Sequence, residues 1–159
     1  MAISMQDLLR HQEWADAVFF RAWEASGAQA DTDLRTRMDH TVATTEAFLA
    51  VFQGGLVAFP EHPLPDFEAL KARCVAAHRI LADLTAGWDE AALDRPVRIP
   101  WFPDPPCVVP VSEALLQVCL HSQHHRGQCL ARLRALGAAP KNIDYLIWLW
   151  RGRPEPRWT

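Results

Sequence analysis

No stretch of this chain approaches the roughly 20 consecutive apolar residues that a helix needs to cross a bilayer, which excludes a membrane-spanning helix. The opening residues, MAISMQDLLRHQEW, have no basic start followed by an apolar run. No secretion signal is therefore expected, and a cytoplasmic chain is. Excess positive charge is also missing: 16 Lys and Arg stand against 19 Asp and Glu, for a net charge of -3. That balance gives no general pull toward nucleic acid or an anionic membrane. Arg151, Arg153 and Arg157 form only a mild basic cluster near the C-terminus. The four cysteines, Cys74, Cys107, Cys119 and Cys129, make no CxxC pair. Cys119 and Cys129 share one expected helix, too far apart along it to bridge, and all four read as buried thiols of a reducing compartment.

Several chemical signatures are absent too. There is no phosphate-cradling glycine loop and no GxSxG nucleophile elbow. Ser122 follows His121, so the stretch is not the HExxH of a zinc peptidase, and Ser122 has no evident triad partner. No internal repeat, low-complexity tract or convincing strand is visible.

What remains is a chain of 159 residues, half of them hydrophobic and 22% charged. That suits one domain over 1–159 with a substantial core. Helical periodicity recurs four times. Residues 4–26 place Leu8, Ala15, Val18, Phe19 and Ala22 at helical spacing, with Ser4 as cap, Asp7 three residues on, and Gly27 as stop. Residues 31–53 carry the stripe Leu34, Met38, Thr41, Thr45, Phe48 and Phe52, with Asp31 or Thr32 as cap. Beside that stripe runs a row of His40, Ala43, Ala47 and Val51. Residues 66–86, capped by Asp66, carry Phe67, Leu70, Cys74, Ala77, Leu81 and Leu84. The fourth helix spans about 112–136 and stops at Gly137, and a short helical stretch covers 143–150 before an extended tail. The fold class expected is all-α, a four-helix bundle.

Two connections are long. Residues 54–65, broken by Pro60, Pro63 and Pro65, reach about 40 Å when extended. That is enough to run the length of a bundle, so the second and third helices could be parallel in an up-down-down-up order. Residues 88–109, before the fourth helix, are proline-rich and carry Trp88, Trp101 and Phe102. They read as a long loop, either a wall over a site or a packed surface crossover.

The informative stretch is HSQHHRGQ, residues 121–128. His121 and His125 are four apart, so on a helix they share a face with Cβ atoms about 5–6 Å apart. Two imidazoles so placed can reach one ion, and a third from a facing helix would complete a site with open positions. The alternative is two histidines on a polar face or in hydrogen-bonded core positions. Spacing leaves the third ligand open. His11, His40 and His78 all fall on or near apolar stripes, and His62 lies in a loop.

HSQHHRGQ, then LRALGAAP and IDYLIWL, resembles the C-terminal signature of the DinB/YfiT-like superfamily. LLRHQEWAD and DHTVATTEAFL are similar to the corresponding N-terminal segments, so the gapped likeness spans nearly the whole chain. The resemblance implies an up-down-down-up bundle, usually a homodimer, with a metal held by three histidines. Carried over, these are His40, His121 and His125, and the ion expected is zinc or nickel. Characterised members include transferases and isomerases that use a low-molecular-weight thiol. His124 stands where an aromatic is common, as a rim proton-transfer group or a surface residue, and Asp16 stands where Asn is common. Arg126 and Gln128 read as residues that orient ligands or helices, and Gly127 as a point of close helix approach.

Three functions compete. The first is a metal-dependent, thiol-using S-transferase or isomerase acting on a small-molecule substrate. The second is a metal-dependent hydrolase, for which Glu46 is a weak candidate base. The third is a non-enzymatic bundle. Neither nucleic acid nor a membrane is an expected partner.

Overall fold

The computed structural model describes residues 4–59 and 61–159. The expected breaker Pro60 lies outside the described residues. Along the chain run α1 (Met5–Ala25), α2 (Thr32–Phe52), α3 (Phe67–Thr85), α4 (Glu90–Asp94), β1 (Pro96–Pro103), β2 (Pro106–Pro110), α5 (Val111–Ala135) and α6 (Tyr145–Trp150).

Local chemistry sets most of the helix ends. The Asp31 carboxylate accepts from the Leu34 amide at 2.9 Å, and Asp66 from the Ala69 amide at 2.8 Å. Each satisfies a backbone donor left over in the first turn. Ser4 departs from expectation: its side chain makes no cap bond, and only its carbonyl is engaged, by Leu8 N. Gly27 and Gly137 adopt φ of 72° and 88° just past the ends of α1 and α5, a left-handed turn that glycine reaches without a Cβ clash.

The stripes bury as their periodicity requires. On α2, Leu34, Met38, Thr41, Phe48 and Phe52 are buried, and on α3 Phe67, Leu70, Cys74, Ala77 and Leu81. Four long helices pack together around two buried clusters. One joins the end of α1 (Phe19, Trp23), the starts of α2 and α3 (Leu34, Phe67) and the end of α5 (Leu133). The other joins Leu9 of α1 to the ends of α2 and α3 (Phe52, Leu81) and the start of α5 (Leu115). Starts and ends combine this way only if α1 and α5 run one way and α2 and α3 the other, an up-down-down-up bundle. The connection 53–66 accordingly runs from one end of the bundle to the other.

The segment before α5 is not the long loop expected. It contains the one-turn α4 and an antiparallel hairpin, with Val97 opposite Val109 and Ile99 opposite Cys107. Val97 and Ile99 face inward and are buried, while Arg98 faces out. Prolines at 96, 100 and 103 disguise this short alternation, and a two-stranded sheet tolerates them because both strands are edges.

The tail also does more than extend. The Trp148 indole N–H donates to the Pro154 carbonyl at 3.1 Å, and the Trp158 ring centroid lies 5.9 Å from that of Phe20. Gly127 does not mark a close helix approach, since a Cβ built there meets nothing within 4 Å. The four cysteines are free, with Cys74, Cys119 and Cys129 buried. No described helix is long and apolar enough to cross a membrane.

Candidate metal centre

α2 and α5 pack side by side, and two polar ties set their register. Arg132 on α5 pairs with Asp31 at the start of α2 at 2.7 Å, and Arg37 on α2 donates to Gln128 Oε1 on α5 at 3.2 Å. Between these ties and the hairpin, His40 of α2 meets His121 and His125 of α5. The Nε2 atoms of His40 and His121 are 3.2 Å apart. Ring centroids are separated by 5.0 Å for His40 and His121, 4.8 Å for His40 and His125, and 4.4 Å for His121 and His125. One nitrogen from each ring lies within 4.8 Å of the other two, so the three together could hold a metal ion.

The donor set fits such an ion. Two nitrogens each about 2.0–2.1 Å from one tetrahedral ion stand about 3.3 Å apart, close to the separation seen. Burial and the neighbouring imidazoles of His125, His40 and His124 lower His121 to about 4. Burial, then His125, also lowers His40. Both rings are therefore neutral near pH 7, the form that offers a lone pair to a cation.

Gln128 orients the third ring. His125 Nδ1 donates to Gln128 Oε1 at 2.8 Å. This leaves Nε2 for a ligand role, the usual division of labour in a metal-binding histidine. The Gln128 amide nitrogen in turn donates to His124 Nε2 at 3.1 Å. His124 is exposed and holds Gln128 in place, rather than facing the site.

The remaining histidines are elsewhere. His11 Nε2 donates to the Ile143 carbonyl at 2.9 Å in a buried position. His62 Nδ1 donates to the Pro63 carbonyl at 3.0 Å. His78, the rival third ligand, lies 2.8 Å from Asp16 Oδ2. The other Asp16 oxygen accepts from Arg126, which is buried and also donates to Gln12. Burial alone would raise the Asp16 carboxyl, but Arg126 and His78 hold it at about 2. Arg126 thus ties α5 to α1, and His78 joins α3 to the same carboxylate. Asp16, Cys74 and His78 also lie close enough together to surround an ion. There, however, both carboxylate oxygens are already bonded and a guanidinium sits alongside, so a cation would be repelled.

A cavity of about 750 Å³ opens from His40 and His121 toward the hairpin. Thr44 and Phe48, one and two turns beyond His40, line it, as do Gln117 and Glu113, one and two turns before His121. Glu113 and Gln117 are not among the residues expected at the site. Their signal was the continuation of the His121–His125 row backward at four-residue steps. Trp101 and Phe102 stand over the same space, so the proline-rich segment forms a wall over a site. Glu46 is not part of it. Its carboxylate is held by Arg73 at 2.7 Å and borders a neighbouring groove between α2 and α3 that shares His40 and Phe59 with the cavity.

No curated protein and no solved structure gives a significant match. A comparison with known protein families matches the DinB family over residues 5–156, which takes in every residue of the three-histidine cluster. On that match, which covers nearly its whole length, the chain belongs to the DinB family.

Proposed function

We propose that this chain is a metal-dependent enzyme whose ion is held by His40, His121 and His125 and whose reaction uses a low-molecular-weight thiol, as an S-transferase or isomerase. The observation that carries this reading is that three imidazoles from two helices converge at the edge of an open cavity. A zinc or nickel ion there would act as a Lewis acid, lowering the pKa of a coordinated thiol.

The residues around it do the rest. Gln128 fixes the tautomer and angle of His125. Burial keeps His121 unprotonated. The wall built from Phe48, Ile99 and Trp101 excludes water from one side of the site, which strengthens every charge interaction within it. In the transfer, the thiol proton would pass to solvent water, sulfur would form a bond to an electrophilic carbon, and the leaving group would depart with its bonding pair. In an isomerisation, the sulfur itself later leaves.

The hydrolase reading needs a carboxylate base beside the ion; Glu46 is committed to Arg73, and Glu113, though it lines the cavity, stands two turns of α5, about 12 Å along the axis, from His121. A purely structural ion would suit a closed site, whereas this cluster borders open space. A homodimer, the state usual in the family, belongs to the same proposal.

Turnover of electrophiles by the zinc- or nickel-loaded protein should require glutathione, bacillithiol or mycothiol and vanish in His125→Ala. Metal-loaded protein that shows no thiol dependence, or that hydrolyses esters or amides without thiol, overturns the reading.

A further inference from the structure

Two spaces meet at His40. One is the cavity of about 750 Å³ toward the hairpin, and the other is a groove of about 830 Å³ between α2 and α3. His40 and Phe59 line both, so a molecule in either space reaches the edge of the histidine cluster. The linings differ in kind. Aromatic rings wall the cavity, with Trp101 edge-on to Phe48 at 5.0 Å between centroids. The groove carries Asp39, Glu46, Arg73 and His62.

Arg73 links the two carboxylates of the groove. Its Nη1 donates to Asp39 at 2.6 Å, and its Nε and Nη2 donate to Glu46 at 3.1 and 2.7 Å. One N–H on each terminal nitrogen is left without a partner among the described residues. The three side chains remain 20–40% exposed, within reach of a ligand. His62 Nε2 stands 3.8 Å from Asp39 on the far side of the same carboxylate group. A ligand of one sign alone meets a like charge here. An anion meets Asp39 and Glu46, and a cation meets Arg73 and, in the loaded protein, the ion at His40. A ligand carrying both signs finds a partner for each.

We propose that this groove is the thiol's subsite, and that it selects a low-molecular-weight thiol bearing both an ammonium and a carboxylate. Arg73 receives the carboxylate, and Asp39 and Glu46 receive the ammonium. The assignment to a thiol rests on the thiol-using function proposed above. A transfer between two molecules needs both of them beside one centre, and two spaces sharing His40 supply the room, leaving the aromatic cavity for the electrophile. Hydrogen bonds between charged groups, and the planar fork of a guanidinium, give such a head group both affinity and orientation. Glutathione and bacillithiol carry both charged groups, and mycothiol carries neither.

Calorimetric titration of the full-length protein with S-methylglutathione, S-methylbacillithiol and S-methylmycothiol tests this. The methyl group blocks the sulfur, so binding reports on the head group and needs neither ion nor turnover. At least one of the two charged derivatives should bind about tenfold tighter than S-methylmycothiol, and the tighter of them identifies the source of the head group. Arg73→Met should weaken that ligand about tenfold, with partial recovery in Arg73→Lys. Glu46→Gln, which keeps an acceptor for Arg73, should weaken it roughly threefold. Trp101→Ala, on the other side of His40, should leave it unchanged. Binding of S-methylmycothiol as tight as that of both others, no binding of any of the three, or affinities indifferent to Arg73→Met and Glu46→Gln overturn the proposal.

The two readings fail separately. A charged derivative held through Arg73 in a protein without thiol-dependent turnover would sink the enzymatic reading and leave the groove as a site for such head groups. Thiol-dependent turnover whose KM for the thiol is indifferent to Arg73→Met would sink the groove alone.

Discussion

His40 Nε2 and His121 Nε2 lie 3.2 Å apart across 81 positions of sequence and from two different helices. Among the described residues, the other ring packed against both is His125. The two nitrogens are close enough for a single ion to take both.

Metal content separates the two candidates for the third ligand. Protein purified from zinc- or nickel-supplemented medium should carry metal. His40→Ala and His121→Ala should each lose most of it, and His78→Ala should retain it, because His78 is committed to Asp16. Elemental analysis of the four proteins decides the matter. Metal lost from the His78 variant and kept in the His40 variant would reverse the assignment.

Gln128 touches no ion yet should tune one. Replacing it by Leu removes the acceptor for His125 Nδ1 and frees that ring to rotate or change tautomer. Metal affinity should fall roughly 10- to 100-fold, the usual cost of losing such a partner. Competition with a chromophoric chelator measures it, and unchanged affinity would show that Gln128 has no orienting role.

Chelation and acid should act on the same site. An ion held at 100 times its dissociation constant adds about 2.7 kcal/mol to stability, or roughly 5–10 °C in Tm for a chain of this size. Removing it should lower Tm by that much in the wild type and by nothing in His125→Ala. Protons compete for the same nitrogens. With His121 held at about 4 in the folded, metal-free protein and 6.5 as its ordinary value, the unfolded chain binds more protons between those values. Metal-free stability should therefore rise as pH increases from about 4 to about 6.5 and fall as pH drops back through that window. Denaturant midpoints across the range, compared with those of His121→Gln, check the sign.

The buried Asp16–Arg126 pair should control the bundle rather than the chemistry. Arg126→Met leaves the buried Asp16 carboxylate with His78 but without its guanidinium partner and should cost about 3–5 kcal/mol in urea unfolding. Asp16 itself is depressed from 3.8 to about 2. Its contribution is present above about pH 4 and is lost as pH falls from there toward 2, on the order of 2 kcal/mol in all. In Asp16→Asn that part of the acid dependence should disappear. An acid-unfolding profile identical to wild type would show that the pair is not what acid breaks.

The helices were legible because their signals are local and repeated. The stripe from Leu34 to Phe52 returns at every turn, and Asp31 and Asp66 stand where a first turn needs an acceptor. The hairpin was not legible. Val97, Arg98 and Ile99 give too short an alternation to register, and the prolines around them read as loop. Ser4 had the right chemistry for a cap and did not use it, because cap formation depends on a side-chain geometry that residue type does not specify. Gly127 invited a packing explanation, but a Cβ there would meet no described atom within 4 Å.

Sequence by itself determined that one helix presents His121 and His125 on a single face, since four residues make about one helical turn. It also determined the long connection that permits parallel α2 and α3. Resemblance to a family, not spacing, favoured His40 over His78. Only the tertiary structure brought His40 to within 3.2 Å of His121 and turned His78 onto Asp16. It alone also folded Trp101 over the cavity. The physical reason is that a histidine's partner depends on the rotation and register of one helix against another. Those are set by interdigitating core side chains and by cross-helix ties such as Asp31–Arg132 and Arg37–Gln128, none of which is written in any one helix's own periodicity.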